Sequence, residues 1–317
     1  MKESTKFLLK ANNNKFKLCS VYYEIIQNLW SKNLINSFNA NIVMDRIKEI
    51  NILFHNEQCL TIKDFIIFVL NQIHTELKEN SNKVQINSNV FQDYNQYDKK
   101  IVYQHFINKF LKENSIISNI FYSITEITNE CLNCKNNFNS IGLSNPICYN
   151  YQIFNCLIFP LDKIITMKLN SFQYNKTISL SECFHFNQKK ENISGNNQIY
   201  CKICKQNTNY KNKSKIYKSP KTLIIILDRN NVSEIKFEFK EEIDISQFVI
   251  DADKEKSMYT LYGIISDIGH NNKKEFVAVC KSPVDDKWYR YNNSIVKEIN
   301  DIYNEGNIYT LFYNKKE

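Results

Sequence analysis

Two cysteine pairs constrain this chain most: "CLNC" at Cys131 and Cys134, and "CKIC" at Cys201 and Cys204. A two-residue spacer lets both thiolates of a pair reach one tetrahedral ion, and two such pairs supply the four sulfurs of a structural zinc site. The separation between the pairs is far longer than in a compact zinc ribbon, so a whole stretch of strand must leave one knuckle and return to the other. With sulfur in all four positions no coordination site stays open, and the expected cofactor, zinc, holds structure and does no chemistry.

A chain of 317 residues, 43% of them apolar, can bury a sizeable core. Its formal charge is +8, but the lysines are scattered and no run of five basic residues stands out, so nucleic acid is not an expected partner. No stretch of eighteen apolar residues occurs and "MKESTKFLLKANNNKFKLC" lacks the apolar centre of a signal peptide, which predicts no membrane span and an intracellular place, cytoplasmic or nuclear. The ten cysteines then read as reduced thiols or metal ligands.

The hydrophobic period changes along the chain. Up to about residue 115 it is helical: "SVYYEIIQNLW", then "TIKDFIIFVLNQIHTELKE", then "YDKKIVYQHFINKFLKEN" after a polar loop at 80–96. Thr61 with Asp64 makes a capping box, and Ile62, Phe65, Ile66, Val69, Leu70, Ile73 and Leu77 form the apolar stripe behind it. Beyond it "TLIIILDR", "MYTLYGIISDI", "EFVAVCK" and "NIYTLFYN" read as strands. Helices first and strands afterwards predict an α+β fold, with a helical part at 1–115 and a β part at 116–317 whose knuckles fall near 125–140 and 195–215.

These features, in this order, resemble the catalytic domain of the ubiquitin-specific proteases, papain-like deubiquitinases built of thumb, palm and fingers. "LWSK" followed by "CLTIKDFIIFVLNQIHTELK" is similar to the thumb segment QQDAxEFLxxLLDxLHEEL, with Cys59 and Thr61 at the QQD positions. "ECLNCKNNF" and "NNQIYCKICKQNTNYKNKSKIYKSPKTLIIILDRN" resemble the two finger knuckles and the strand that ends in LKRF, where Asp228 and Asn230 replace Lys and Phe. "YTLYGIISDIG" resembles the strand ending in HxG, "KKEFVAVCKSPVDDKWYRYNNSIV" falls where the family has GHYxAYxK and WYxFxD, and "YTLFY" matches the closing strand. The resemblance implies a truncated helical thumb, an antiparallel β palm and zinc-bearing fingers.

It also implies a site that has changed. The family needs a cysteine thiolate, a histidine that takes its proton, and an Asp or Asn that orients the histidine. Gapless from Tyr262 to Phe276, Glu275 stands at the histidine, with Asp267 and Gly269 at HxG and Lys274 at the glycine. A carboxylate raises a neighbouring thiol's pKa and forms no thiolate–imidazolium pair. Asn293, after Asn292, stands at the orienting position and also suits a turn. His270 belongs to a loop. The cysteine box GLxNxGNTCYMNSxLQ is expected upstream of where the chain starts. Cys19, at the start of a helix and beside Lys17, is the one thiol near its place, and helix packing is its alternative role. Cys148, in "GLSNPICYNYQIFNCL", echoes the box from between the knuckles.

The expectation is a pseudo-deubiquitinase acting as a binding or scaffolding module, its partner ubiquitin, a ubiquitin-like protein or a subunit of a complex. The alternatives are a divergent active hydrolase cleaving after the ubiquitin C-terminus, and a structural subunit without ubiquitin binding.

Overall fold

The computed structural model describes residues 17–29, 41–55, 61–78, 96–112, 114–140, 146–170, 177–230, 235–250, 257–269, 274–293 and 295–316. The chain divides into two compact units, one of residues 1–84 and 110–120, the other of residues 85–109 and 121–317.

The first unit is helical. It contains α1 (Lys17–Leu29), α2 (Asn41–Ile50) and α3 (Ile62–Leu77). α3 starts where the sequence places its cap: Thr61 Oγ1 accepts from the Asp64 N–H at 3.2 Å, and Asp64 Oδ2 accepts from the Thr61 N–H at 3.0 Å. Ile66, Leu70, Ile73 and Leu77 are the buried edge of its stripe, and Phe54 packs against Phe65 and Phe68 on the same helix at 6.2 and 4.8 Å. Of "LWSK", Leu29 ends α1, while Trp30, Ser31 and Lys32, like Cys59, lie outside the described residues.

The second unit carries the strands. α4 (Lys99–Leu111) belongs to it through Lys109, although its period groups it with the preceding helices. The reason is aromatic: Tyr103 lies 5.2 Å from Tyr151 and 4.6 Å from Tyr217, and Phe106 lies 5.9 Å from Tyr151. Those tyrosines sit on a four-stranded sheet. It runs in the order β2 (Ile147–Phe154), β1 (Ser123–Cys131), β8 (Tyr210–Lys218), β5 (Glu191–Ile193).

A larger sheet runs β15 (Ile295–Ile299), β14 (Trp288–Asn292), β13 (Phe276–Lys281), β12 (Met258–Asp267), β16 (Asn307–Lys315), β9 (Thr222–Asp228), β3 (Leu157–Pro160), with β11 (Glu242–Asp244) also on β12. β9 is buried from Thr222 to Leu227. A strand covered on both faces has no polar side to alternate with, and hence reads as the unbroken run "TLIIIL".

Four α-helices among the described residues lie inside the stretch that the sequence reads as strands: α5 (Ile116–Phe121), α6 (Leu132–Ser140), α7 (Leu161–Asn170) and α8 (Leu180–Asn187). Leu161, Ile164, Leu180, Cys183 and Phe184 bury themselves in the core of the large sheet, and a second capping box, Ser179 with Glu182, opens α8. The fold is α+β.

Candidate functional site

The two knuckles meet. β1 ends in Cys131 and runs into α6, which carries Cys134, while Cys201 and Cys204 belong to the hairpin of β6 (Ile199–Cys201) and β7 (Gln206–Thr208). Lys205 closes that hairpin at φ +57°. All four sulfurs lie within 4.8 Å of one another: Cys131 to Cys204 is 3.4 Å, Cys134 to Cys201 3.7 Å and Cys134 to Cys204 3.1 Å. Cys131, Cys134 and Cys201 are buried.

Four thiols packed so closely resist ionising together. Burial, then shared hydrogen bonds, push the Cys134 thiol up. At Cys201 burial opposes ionisation, yet the N–H of Cys204, the Tyr210 hydroxyl and the N–H of Ile203 hold the thiol at about 6. Thr208 Oγ1 lies 3.0 Å from Cys131 Sγ. A divalent cation at the centre removes the charge conflict, and these four side chains could hold one.

The second cluster lies at the ends of β12, β13 and β14. Asp267 is the last residue of β12 and pairs with Phe276, the first of β13. Its Oδ1 accepts from the N–H of Gly269 and of Glu275, both at 2.9 Å, and the Glu275 carbonyl accepts from the Ile268 N–H at 2.9 Å. Asn292 Nδ2 donates to Glu275 Oε1 at 2.7 Å. Glu275 is exposed, and Asn293, the residue after Asn292, is exposed with its backbone at φ +50°. His270 lies outside the described residues.

Beneath this cluster the backbone is tight. A Cβ on Gly306 would sit 2.5 Å from the Asp267 carbonyl oxygen, and its φ is +82°. Arg229 is buried and donates to the carbonyls of Ile308 and Ile235, both at 2.8 Å. Its guanidinium lies 5.8 Å from the Tyr309 ring centre; Phe276 meets the same ring edge-on at 5.1 Å.

Cys19 sits in the other unit, at the start of α1, with none of its surface exposed. Glu76 from α3 caps that helix: its carboxylate accepts from the N–H of Leu18 at 3.0 Å and of Cys19 at 2.8 Å. Burial first, then the Glu76 charge, push the Cys19 thiol up. The Lys17 side chain is outside what the structure describes. Cys148 lies on β2, opposite Asn129.

A comparison with known families matches residues 2–313 to the ubiquitin carboxyl-terminal hydrolase family. The chain belongs to that family. Ubiquitin carboxyl-terminal hydrolase 2 of Gallus gallus is 22% identical over 306 residues, covering 93% of this chain and 79% of that protein. Ubiquitin carboxyl-terminal hydrolase 12 of Saccharomyces cerevisiae is 27% identical over 186 residues, 54% of this chain and 14% of that one. Among solved structures, the fold is similar to a chain of the SAGA Ubp8/Sgf11/Sus1/Sgf73 DUB module, with TM-score 0.62 and 19% identity over 96% of this chain. A second structure of that module, bound to ubiquitin aldehyde, superposes with TM-score 0.60. The chain covers 60% of the length of either solved chain.

Within the family's fold, the knuckle cysteines singled out from sequence come together. Glu275 is joined to Asn292, not to Asn293, and Asp267 is tied to the Glu275 segment. Asn292 could be found only from the pairing of β13 with β14, because two adjacent asparagines look alike in sequence. No helix among the described residues is long and apolar enough to cross a membrane.

Proposed function

We propose that this chain is a ubiquitin-specific-protease-like module that binds and does not cleave. The observation that carries the proposal is the 2.7 Å hydrogen bond from Asn292 to Glu275, the residue that the sequence resemblance aligns with the family's histidine. Asn292 can orient a group at position 275, but that group is a carboxylate. It repels a thiolate where an imidazolium would stabilise one. Cys19 supports the same reading, because a thiol pushed up by burial and then by the Glu76 charge is a packing group.

The four-cysteine cluster suits zinc. Tetrahedral Zn–S bonds of about 2.3 Å place sulfurs about 3.8 Å apart, and the cluster, with three pairs at 3.1–3.7 Å and all within 4.8 Å, reaches that spacing with little movement. Cys131, Cys134, Cys201 and Cys204 would hold the ion, and the ion would pin the β6–β7 hairpin to the end of β1. In this proposal residues 1–115 are thumb-like and 116–317 are palm and fingers. The partner is ubiquitin, a ubiquitin-like protein or a subunit of an assembly, met in the cytoplasm or nucleus.

The relatives that carry the name hydrolase favour a second reading, a divergent active enzyme. Turnover of a ubiquitin C-terminal amide fluorophore separates the two. The binding module releases no fluorophore above the blank, whereas release that Cys19→Ser abolishes makes Cys19 the nucleophile.

A further inference from the structure

β8 reads YKNKSKIYK. In a strand every second side chain shares a face, so Lys211, Lys213 and Lys215 line one face of the four-stranded sheet. The register adds a fourth. β5 pairs with β8 so that Glu191 lies opposite Asn212 and Asn192 opposite Lys211. Lys190, the residue before β5, therefore continues this line beside Lys213, and Glu191 belongs to the other face. Lys213 feels both neighbours: burial, then the charges of Lys215 and Lys190, lower its ammonium pKa.

The carboxylates that share this face are taken. Glu126 lies opposite Lys215 and Glu130 opposite Lys211 on β1. Glu126 is buried and accepts from Lys99 Nζ and from the Tyr151 hydroxyl, both at 2.7 Å, and Glu130 pairs with Lys135 at 3.5 Å. No ion pair reaches Lys190, Lys211, Lys213 or Lys215 among the described residues. Four like charges gathered on one face, beside two carboxylates that are paired with other lysines, gain most from an anionic partner.

We propose that this lysine face docks an acidic segment of a partner protein. The line from Lys211 to Lys215 is about 13 Å long, the reach of about four extended residues. That suits a short run of carboxylates. A nucleic-acid backbone needs a longer track and would have to pass Glu126 and Glu130, which flank the line at both ends. The surface is separate from the Glu275 cluster and does not depend on ubiquitin binding.

The test is titration of a fluorescein-labelled hexaglutamate peptide into the purified chain at low salt. Binding should weaken with salt and fall roughly tenfold in Lys213→Gln/Lys215→Gln, but change less than about twofold in Lys236→Gln/Lys297→Gln, which removes the same charge elsewhere. If the first pair fails to fold, Lys190→Gln, at an exposed position, carries the comparison. Absence of peptide binding, equal loss in both pairs, or tighter binding of an oligothymidine of equal charge through the same lysines would overturn the proposal.

Discussion

Asn292 donates its side-chain amide to the Glu275 carboxylate at 2.7 Å, bridging the start of β13 and the end of β14. The contact is exposed, so it positions Glu275 more than it stabilises the fold. Glu275→Gln, which keeps an acceptor for Asn292, should change stability by less than about 0.5 kcal/mol in a denaturant melt. Glu275→His should leave the chain unreactive toward a ubiquitin C-terminal electrophile, because Cys19 stays buried.

Removing metal should be costly where removing Glu275 is not. The purified chain is expected to hold about one zinc by mass spectrometry of metals. Cys201→Ser/Cys204→Ser should lose it and unfold at a clearly lower temperature, since structural metal binding is itself folding free energy. Full stability without zinc would count against the four-cysteine assignment.

Much of this was legible in residue types. Thr61 with Asp64 marks the start of α3, and the unbroken "TLIIIL" marks a strand buried on both faces. The paired cysteines mark a cluster whatever the distance between them, because spacing within each pair sets its reach. What stayed hidden depends on register. Ser179 and Glu182 carry the same capping signal as Thr61 and Asp64, yet strand-rich neighbours mask it, and Leu161, Ile164 and Ile165 are too short a stripe to declare a helix. The lysines look scattered along the chain because Lys190 joins Lys213 only when β5 pairs with β8. Likewise Tyr103 and Phe106 draw α4 to the sheet through contacts with Tyr151 and Tyr217 that no local pattern announces.

The Thr61–Asp64 capping box gives a pH dependence. Hydrogen bonds from the Thr61 side chain and backbone hold the Asp64 carboxyl below its usual range. A carboxyl lowered by folding adds stability that is present above its unfolded pKa of about 3.9 and is lost as pH falls through the lower folded value. Asp64→Asn should therefore be less stable than wild type at neutral pH, and the difference should shrink toward zero as melts are repeated at acid pH below that range.

Glu76 should matter to α1. Its carboxylate satisfies two backbone N–H groups at the helix start, and Glu76→Ala should cost about 1 kcal/mol. In the native protein, peptide mapping after iodoacetamide should show Cys19 unmodified until denaturant opens the unit.

Gly306 admits no side chain. A methyl there meets the Asp267 carbonyl at 2.5 Å with φ at +82°, and Gly306→Ala should destabilise by about 1–3 kcal/mol. The cost should appear as a lower unfolding midpoint with unchanged metal content, since the cysteine cluster lies on other strands.

The central claim is binding without cleavage, and one paired measurement addresses it most directly: ubiquitin titrated calorimetrically into the chain, beside incubation with a ubiquitin C-terminal electrophile probe. The account predicts a measurable binding isotherm and no covalent adduct. A covalent adduct lost in Cys19→Ser would contradict it, and a flat isotherm would remove ubiquitin as the partner.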